Sequence, residues 1–567
     1  MKDLVFEDVS ITYRTRTGRG RVDAVKNVSL TLPAGGTLGI AGESGSGKST
    51  LILSALRLLP RNAEVTGRVL LGGKDLAELS FGQIRAVRWA EASIVFQGAL
   101  HSLNPVKKVG AQIVEALELH VKDSWSTPEA RKQRMLDLLT QVDLPAVKAE
   151  SYPHELSGGQ KQRIMIAMAL ACEPDVIIAD EPTTALDVIV QKQILDEISA
   201  LVAREGISLL MISHDLSVLA YVCEDLAVMR YGELVEVGPA AEVVANPAAD
   251  YTRQLAEAFP TIGDQSSRLD PVTRNPARVT VEEPQEMTDE VVLRAQDLSV
   301  TFHGRGGAVG AVRDVNLDLR HAEILAVVGQ SGSGKTTLAR TLLGLQQPDK
   351  GSRVEYRGKR LGTKPKELRE FRKSVQMVLQ DPSGSLNPKL SVYESVAEGL
   401  RVQKFEGDER GRVVEALEAA ELLPAERYLG SIPQELSGGQ RQRVVIAGAL
   451  ALDPEILVAD EPVASLDASV RGEILSLFLA LRKNRGTSIL VITHDLGLAW
   501  NIADTVAVMK DGRVVEYGPV ENVLLDPQED YTKELLAAVP TFRADRVAGV
   551  GAGGATDVAP ESCEVNA

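Results

Sequence analysis

Cysteine is close to absent from this chain. Its three representatives, Cys172, Cys223 and Cys563, stand far apart and form no C-x-x-C pair, so they read as ordinary reduced thiols of a cytosolic protein, with no zinc site. Long apolar runs are missing too. No stretch of about 18 apolar residues occurs, and the opening MKDLVFEDVS has acidic residues where a signal peptide needs an unbroken apolar segment. A chain that is neither exported nor membrane-spanning by itself is therefore expected. Positive charge is in deficit: 62 basic residues face 78 acidic ones, for a net charge of −16, which argues against broad binding to nucleic acid. What is present is apolar matter, 44% of 567 residues, enough for the cores of several domains.

The stretch GESGSGKST at 42–50 carries the first chemistry. It follows the apolar run TLGIA and precedes the helix-like LILSALRLL, so it reads as a strand end, a glycine-rich turn and a first helical turn. Gly42, Gly45 and Gly47 have no side chain to block close approach, so successive backbone N–H groups can line a concave nest. The following helix points its N-terminal donors and partial positive charge into the same space. An anion belongs there. Lys48 adds a mobile positive charge for the outer phosphates, and the Ser49 hydroxyl can ligate the Mg²⁺ that accompanies a nucleotide; Ser44 and Thr50 complete the loop. GQSGSGKTT recurs at 329–337 after ILAVV, supplying Gly329, Ser331, Gly332, Gly334, Lys335, Thr336 and Thr337.

That recurrence extends to the whole chain. LSGGQ at 156–160 returns at 436–440, ADEP at 179–182 at 459–462, and SHDL at 213–216 as THDL at 493–496, each displaced by 280 residues (436 − 156). The phosphate loops are displaced by 287 (335 − 48), so the copies differ by small indels. A first copy over about 1–260 and a second over about 291–542 are expected. The intervening 261–290, with Pro, charge and no apolar periodicity, reads as a linker, and the Gly/Ala-rich tail 543–567 as disordered.

Within each copy, polar residues fall where apolar runs end. TLGIA, ASIVF, VIIA and SLLMIS stop at Gly42, Gln97, Asp180 and His214; LAVVG, SVQMVLQ, ILVAD and ILVITH deliver Gly329, Gln380, Asp460 and His494. Continuous apolar runs separated by helix-like segments indicate strands buried on both faces of a parallel sheet. In such sheets ligands bind beyond the carboxyl ends of the strands, so these residues converge on one edge. Cleaving a triphosphate needs charge neutralisation, in-line positioning and a group that orients or deprotonates water. Asp180 and Asp460 are placed to hold Mg²⁺, directly or through water. Glu181 and Glu461, one residue on, are the candidates for polarising the nucleophilic water as general base. His214 and His494 would contact the γ-phosphate, and Gln97 and Gln380 would complete the metal and water shell. Ser157, Gly158 and Gly159 open the helical stretch QKQRIMIAMALA, a second N-terminus suited either to an anion or to a plain glycine-containing cap. Spacing alone does not say which phosphate it faces.

The order of phosphate loop, Gln97, LSGGQ, VIIADE, the ALD at 185–187 and His214, given twice, resembles the nucleotide-binding domains of ATP-binding cassette (ABC) proteins. The resemblance implies an α/β fold of two P-loop NTPase domains in tandem. Each would have a RecA-like core, a β subdomain and a helical subdomain, here about 98–158 and 381–438, with C-terminal extensions about 239–260 and 519–542. It also implies head-to-tail cassettes with ATP between the phosphate loop of one and the LSGGQ of the other. Carried over, one site pairs Lys48, Glu181 and His214 with Ser437 and Gly439; the other pairs Lys335, Glu461 and His494 with Ser157 and Gly159. Gly158, Gln160, Gly438 and Gln440 complete the two signatures, and Asp187 and Asp467 match the loop that links the sites. Tyr13 stands where an aromatic stacks on adenine, a place the second copy fills with Phe302.

Further stretches narrow the resemblance. HSLNPVKKVGAQIVEAL at 101–117, GSLNPKLSVYESVAEGL at 384–400, YPHELSGGQ at 152–160, and the endings YTRQLAEAFP and YTKELLAAVP are similar to ATPases of the dipeptide/oligopeptide/nickel importers. This implies a peripheral ATPase on the cytoplasmic face of the plasma membrane. Its partners would be two permease subunits, an extracytoplasmic binding protein reached through them, and no nucleic acid. Its cofactors would be ATP and Mg²⁺; the cysteines that hold an iron–sulfur cluster in some relatives are missing, so none is expected. A tandem cassette acting on ribosomes or DNA would share the ATPase motifs but should carry a basic helical linker or zinc cysteines. A non-hydrolytic regulator should have lost a Glu or His. Neither pattern is met. Peptides, glutathione-like compounds, nickel chelates and opines all remain open as cargo.

Overall fold

The computed structural model of the chain describes residues 1–540 apart from 15–19, 97–101, 121–122, 185, 274–276, 278–279, 282, 305–306 and 465. Each copy is built on a six-stranded sheet. In the first, the order across the sheet is Glu233–Pro239, Asp225–Arg230, Thr37–Ala41, Ser208–Ile212, Val176–Asp180 and Ala92–Val95. All neighbours pair in parallel except the antiparallel edge strand Glu233–Pro239. The second copy repeats this with Arg513–Pro519, Thr505–Lys510, Ile324–Val328, Ser488–Thr493, Ile456–Asp460 and Val375–Val378.

The apolar runs form these strands because both faces of the sheet are covered. Val176 and Ile178 point to one side, where they pack with Leu38, Ile40, Leu210 and Ile212 against a small antiparallel sheet. Ile177 and Ala179 point to the other, where they pack with Leu209 and Met211 among helices. Every residue of Val176–Asp180, Ser208–Ile212, Ile456–Asp460 and Ser488–Thr493 is buried, the environment that selects continuous rather than alternating hydrophobicity. The antiparallel layer has Leu4–Arg14 at its centre, paired with Arg21–Leu32 and Ala63–Leu71. Val291–Gly304, Gly307–Arg320 and Arg353–Tyr356 form its counterpart.

Helices Val109–Leu119 and Pro128–Gln141 precede the first LSGGQ, and Val392–Val402 and Glu409–Ala419 precede the second. Short helices Ala240–Ala245 and Asp250–Glu257 follow the first sheet; Val520–Leu525 and Asp530–Ala538 follow the second. Among the described residues no helix is long and apolar enough to cross a membrane. The segment read as a linker is stitched to the second copy. Leu269 donates its N–H to Asn501 O at 2.8 Å, Thr280 to Asn484 Oδ1 at 2.8 Å and Gln285 to Lys483 O at 2.9 Å. Trp500 Nε1 donates to Asp264 O at 3.1 Å, and the Arg268 guanidinium lies 5.7 Å from the Trp500 ring centre. Backbone bonds of this kind leave no apolar periodicity to read. The tail 543–567 lies outside the described residues.

Candidate functional site

The strand Thr37–Ala41 runs into the phosphate loop, and the loop's glycines divide into two kinds. A Cβ on Gly42 would stand 2.3 Å from Met229 O, and one on Gly47 2.3 Å from Ala24 O; at Gly329 and Gly334 the clashes are 2.2 Å with Met509 O and 2.2 Å with Ala311 O. These four are demanded by the protein's own backbone. At Gly45 and Gly332 a Cβ would meet nothing within 4 Å. At these two positions the loop faces open space.

Lys48 and Lys335 are 6% and 8% exposed. Lys48 Nζ donates to Gly42 O at 2.7 Å and Glu43 O at 2.8 Å; Lys335 Nζ donates to Gly329 O at 2.6 Å and Gln330 O at 2.8 Å. Burial holds both ammonium groups below the usual lysine value, against the pull of surrounding carboxylates led by Glu181 and Glu461 respectively. Ser49 Oγ lies 3.3 Å from Asp180 Oδ1, and Thr336 Oγ1 lies 3.5 Å from Asp460 Oδ1. Both aspartates are buried at the ends of their strands, and burial pushes their carboxyls up.

One residue further on the chain twists. Glu181 and Glu461 sit at φ 47° and 49°, left-handed values costly for a side-chain-bearing residue. The N–H of Glu181 donates to Ile212 O at 3.0 Å and that of Glu461 to Ile492 O at 2.9 Å, which ties each to the strand that delivers the histidine. His214 Nδ1 lies 3.4 Å from Glu181 Oε1, and His494 Nδ1 lies 2.8 Å from Glu461 Oε1. Thr184 donates to Glu181 Oε2 at 2.8 Å. Burial pushes the Glu181 carboxyl up, but the bonds from His214 and Thr184 and the charge of Lys48 outweigh it and hold it at about 2.

The copies meet loop to loop. Ser44 N–H donates to Asp467 Oδ1 at 2.5 Å, and Ser331 N–H to Asp187 Oδ2 at 3.3 Å. Ser157 and Ser437 cap the helices Gly158–Leu170 and Gly438–Leu450 in reciprocal boxes with Gln160 and Gln440. A Cβ on Gly159 would stand 2.5 Å from Val190 Cγ1, and one on Gly439 2.4 Å from Val470 Cγ1. Each signature thus packs on the helix that follows Asp187 or Asp467. That places it one loop away from the phosphate loop of the other copy.

Tyr13 is brought to the first loop, its hydroxyl 3.3 Å from Thr50 Oγ1. Phe302 stands exposed on Val291–Gly304, opposite Val309. Gln380 is exposed just beyond Val375–Val378; Gln97 lies outside the described residues. Sequence reasoning missed Thr184, whose signal was only an extra hydroxyl after ADEP. It also missed Arg471, 7% exposed, which bonds Asp495 Oδ2 at 2.5 Å and lies 5.1 Å from the Phe259 ring centre.

Known proteins are similar to this chain along most of its length. The family described as ABC transporter matches residues 25–184 and 312–464. The family described as oligopeptide/dipeptide transporter, C-terminal region, matches 235–285 and 515–563. The chain is similar to the glutathione import ATP-binding protein GsiA of Escherichia coli (strain K12), at 40% identity over 96% of this chain and 90% of that protein. It is also similar to GsiA of Salmonella choleraesuis (strain SC-B67), at 41% over 93% and 88%. The solved dimeric structure of MJ0796, a bacterial ABC transporter cassette, aligns at 30% identity over 40% of this chain and 98% of its own, with a TM-score of 0.37. The chain belongs to the ABC transporter family, as a tandem ATP-binding ATPase subunit of its peptide-type importers.

Proposed function

We propose that this ATPase holds one ATP at each of two seams and uses their cleavage to drive import of glutathione or short peptides. The phosphates would lie against the N–H groups around Gly45 and Gly332, with Lys48 and Lys335 leaving their own loop carbonyls for the outer phosphates. Ser49 with Asp180, and Thr336 with Asp460, offer paired hard oxygens of the type Mg²⁺ takes; Gln97 and Gln380 would complete its shell. Bound there, the ion neutralises phosphate charge. Glu181 is placed to polarise the attacking water as general base, with His214 kept in place by the same carboxylate. Glu461 and His494 act likewise in the second seam, where Ser157 and Gly159 would close over the nucleotide as Ser437 and Gly439 do in the first.

The observation that carries the cargo reading is the oligopeptide/dipeptide C-terminal region at the end of both copies. GsiA, the glutathione import protein this chain is similar to, narrows it. In this reading the chain lies on the cytoplasmic face of the membrane. Two permease subunits dock near Gln97 and Gln380, and an extracytoplasmic binding protein delivers cargo to them. The test is uptake of radiolabelled glutathione and of a dipeptide by cells with the chain, without it, and with Lys335→Ala. Loss of uptake of at least one in both altered strains is expected; unchanged uptake of both would sink the reading.

A further inference from the structure

We infer that Tyr251 and Tyr531, in the C-terminal extensions, are positioning residues for ATP hydrolysis: each hydroxyl fixes the peptide plane on which the phosphate-loop lysine rests. Tyr251 lies in the first turn of Asp250–Glu257 and is 3% exposed. Its hydroxyl accepts the N–H of Glu43 at 3.0 Å. The other end of that same peptide unit is Gly42 O, which accepts Lys48 Nζ at 2.7 Å. The second copy repeats the arrangement. Tyr531 is 5% exposed, its hydroxyl accepts Gln330 N–H at 3.1 Å, and Gly329 O accepts Lys335 Nζ at 2.6 Å.

A peptide unit is a rigid plane, so a bond at its N–H fixes the direction of its C=O. The hydroxyl thus fixes the plane of the loop's first peptide, and with it the start of the turn whose N–H groups the phosphates would meet. The ring itself is held from above by a cation, Arg230 over Tyr251 at 4.5 Å and Lys510 over Tyr531 at 4.5 Å. The cation differs between copies, as does the loop residue, Glu43 against Gln330. The bond survives because it uses only a backbone N–H and a phenol oxygen. Through it the extension, which is remote from the loop in sequence, sets the loop's shape before nucleotide arrives.

The inference rests on the reading that 42–50 and 329–337 hold the phosphates. In the full chain, Tyr251→Phe with Tyr531→Phe removes both acceptors and keeps both rings. The KM for ATP should rise roughly fivefold, the worth of about one hydrogen bond, with kcat changed less than about twofold and little change in melting temperature. If the rings only pack, the Phe pair will match the unaltered chain in KM, and only Tyr→Leu will do damage, lowering the melting temperature; that outcome overturns the inference. Amide exchange by the unaltered chain gives a second check, since Glu43 and Gln330 should exchange slowly and fast exchange would contradict the bond. Lys48→Ala with Lys335→Ala tests the underlying reading separately: if ATP binding and turnover survive the pair, the phosphate-site assignment fails whatever the tyrosine variants do.

Discussion

Glu181 and Glu461 occupy the same place in two near-copies, but different neighbours hold them. Glu181 has Thr184 on one oxygen at 2.8 Å and His214 on the other at 3.4 Å. At the position of Thr184 the second copy has Ala464, and there His494 closes to 2.8 Å of Glu461. The linking loops differ in the same spirit. Asp187 shares itself between Ser331 of the other copy and Val190 N–H at 3.1 Å, capping its own helix. Asp467 makes no such cap and keeps Ser44 at 2.5 Å. The third difference is Arg471, whose counterpart is Gln191. It gives Asp495 an ion pair, so Arg471 outweighs burial and holds that carboxyl down, whereas burial pushes Asp215 up. The two copies thus keep the same Lys, Asp, Glu and His at matching positions and differ in the neighbours that hold them.

Variants can break or sharpen that contrast. The largest effect is expected from Glu181→Gln with Glu461→Gln, which should lower steady-state ATP turnover by about a thousandfold in a phosphate-release assay. The single changes then measure equality: each should remove most of the turnover, and a single variant that leaves it untouched marks its site as a silent partner.

Next in size is Arg471→Gln, which installs the first copy's residue. It leaves Asp495 near the seam without its guanidinium and should cost about 2 kcal/mol by urea unfolding at pH 7, a figure at the low end because the Asp495 side chain is 31% exposed. The sign with pH follows from the depressed carboxyl. Asp495 contributes stability above the ordinary aspartate value of 3.8, and that contribution fades as pH falls through its lower folded value. The deficit of the variant should therefore hold from pH 7 down to about 4 and shrink only as the pH falls below 3.8. A deficit that grows on acidification would contradict the pairing.

The smallest contrast is between the linking aspartates. Asp187→Ala removes a helix cap as well as a cross-seam bond and should cost about 1 kcal/mol of stability. Asp467→Ala removes the cross-seam bond alone, and its melting temperature should stay closer to that of the unaltered chain. Equal melting shifts would show that the cap carries no weight.

The sheet and the residues at its strand ends were legible because continuous apolar runs have one economical explanation, burial from both sides, and because Gly42, Asp180 and His214 stop those runs abruptly. Three kinds of feature were not legible. The left-handed backbone of Glu181 and Glu461 leaves no mark in composition. Gly42 and Gly47 look like anion-binding glycines but are required first by Met229 O and Ala24 O, contacts between residues far apart in sequence. Arg471 and Tyr251 act through partners 24 and 208 residues away, distances at which a sequence offers no periodicity to follow, and Thr184 bonds Glu181 in an irregular turn that no repeat marks. LSGGQ shows the limit from the other side: it is a helix cap, as a bare pentapeptide suggests, and only its packing beside Asp187 or Asp467 directs it across the seam.

The stitching of 264–285 onto the second copy has a mechanical corollary. A tether of thirty free residues would leave the way the halves meet unspecified, but here Pro260 already lies against the second copy, its carbonyl 3.2 Å from where a Cβ on Gly497 would stand. The first copy is therefore handed over directly onto the surface of the second, beside Phe259 and Arg471.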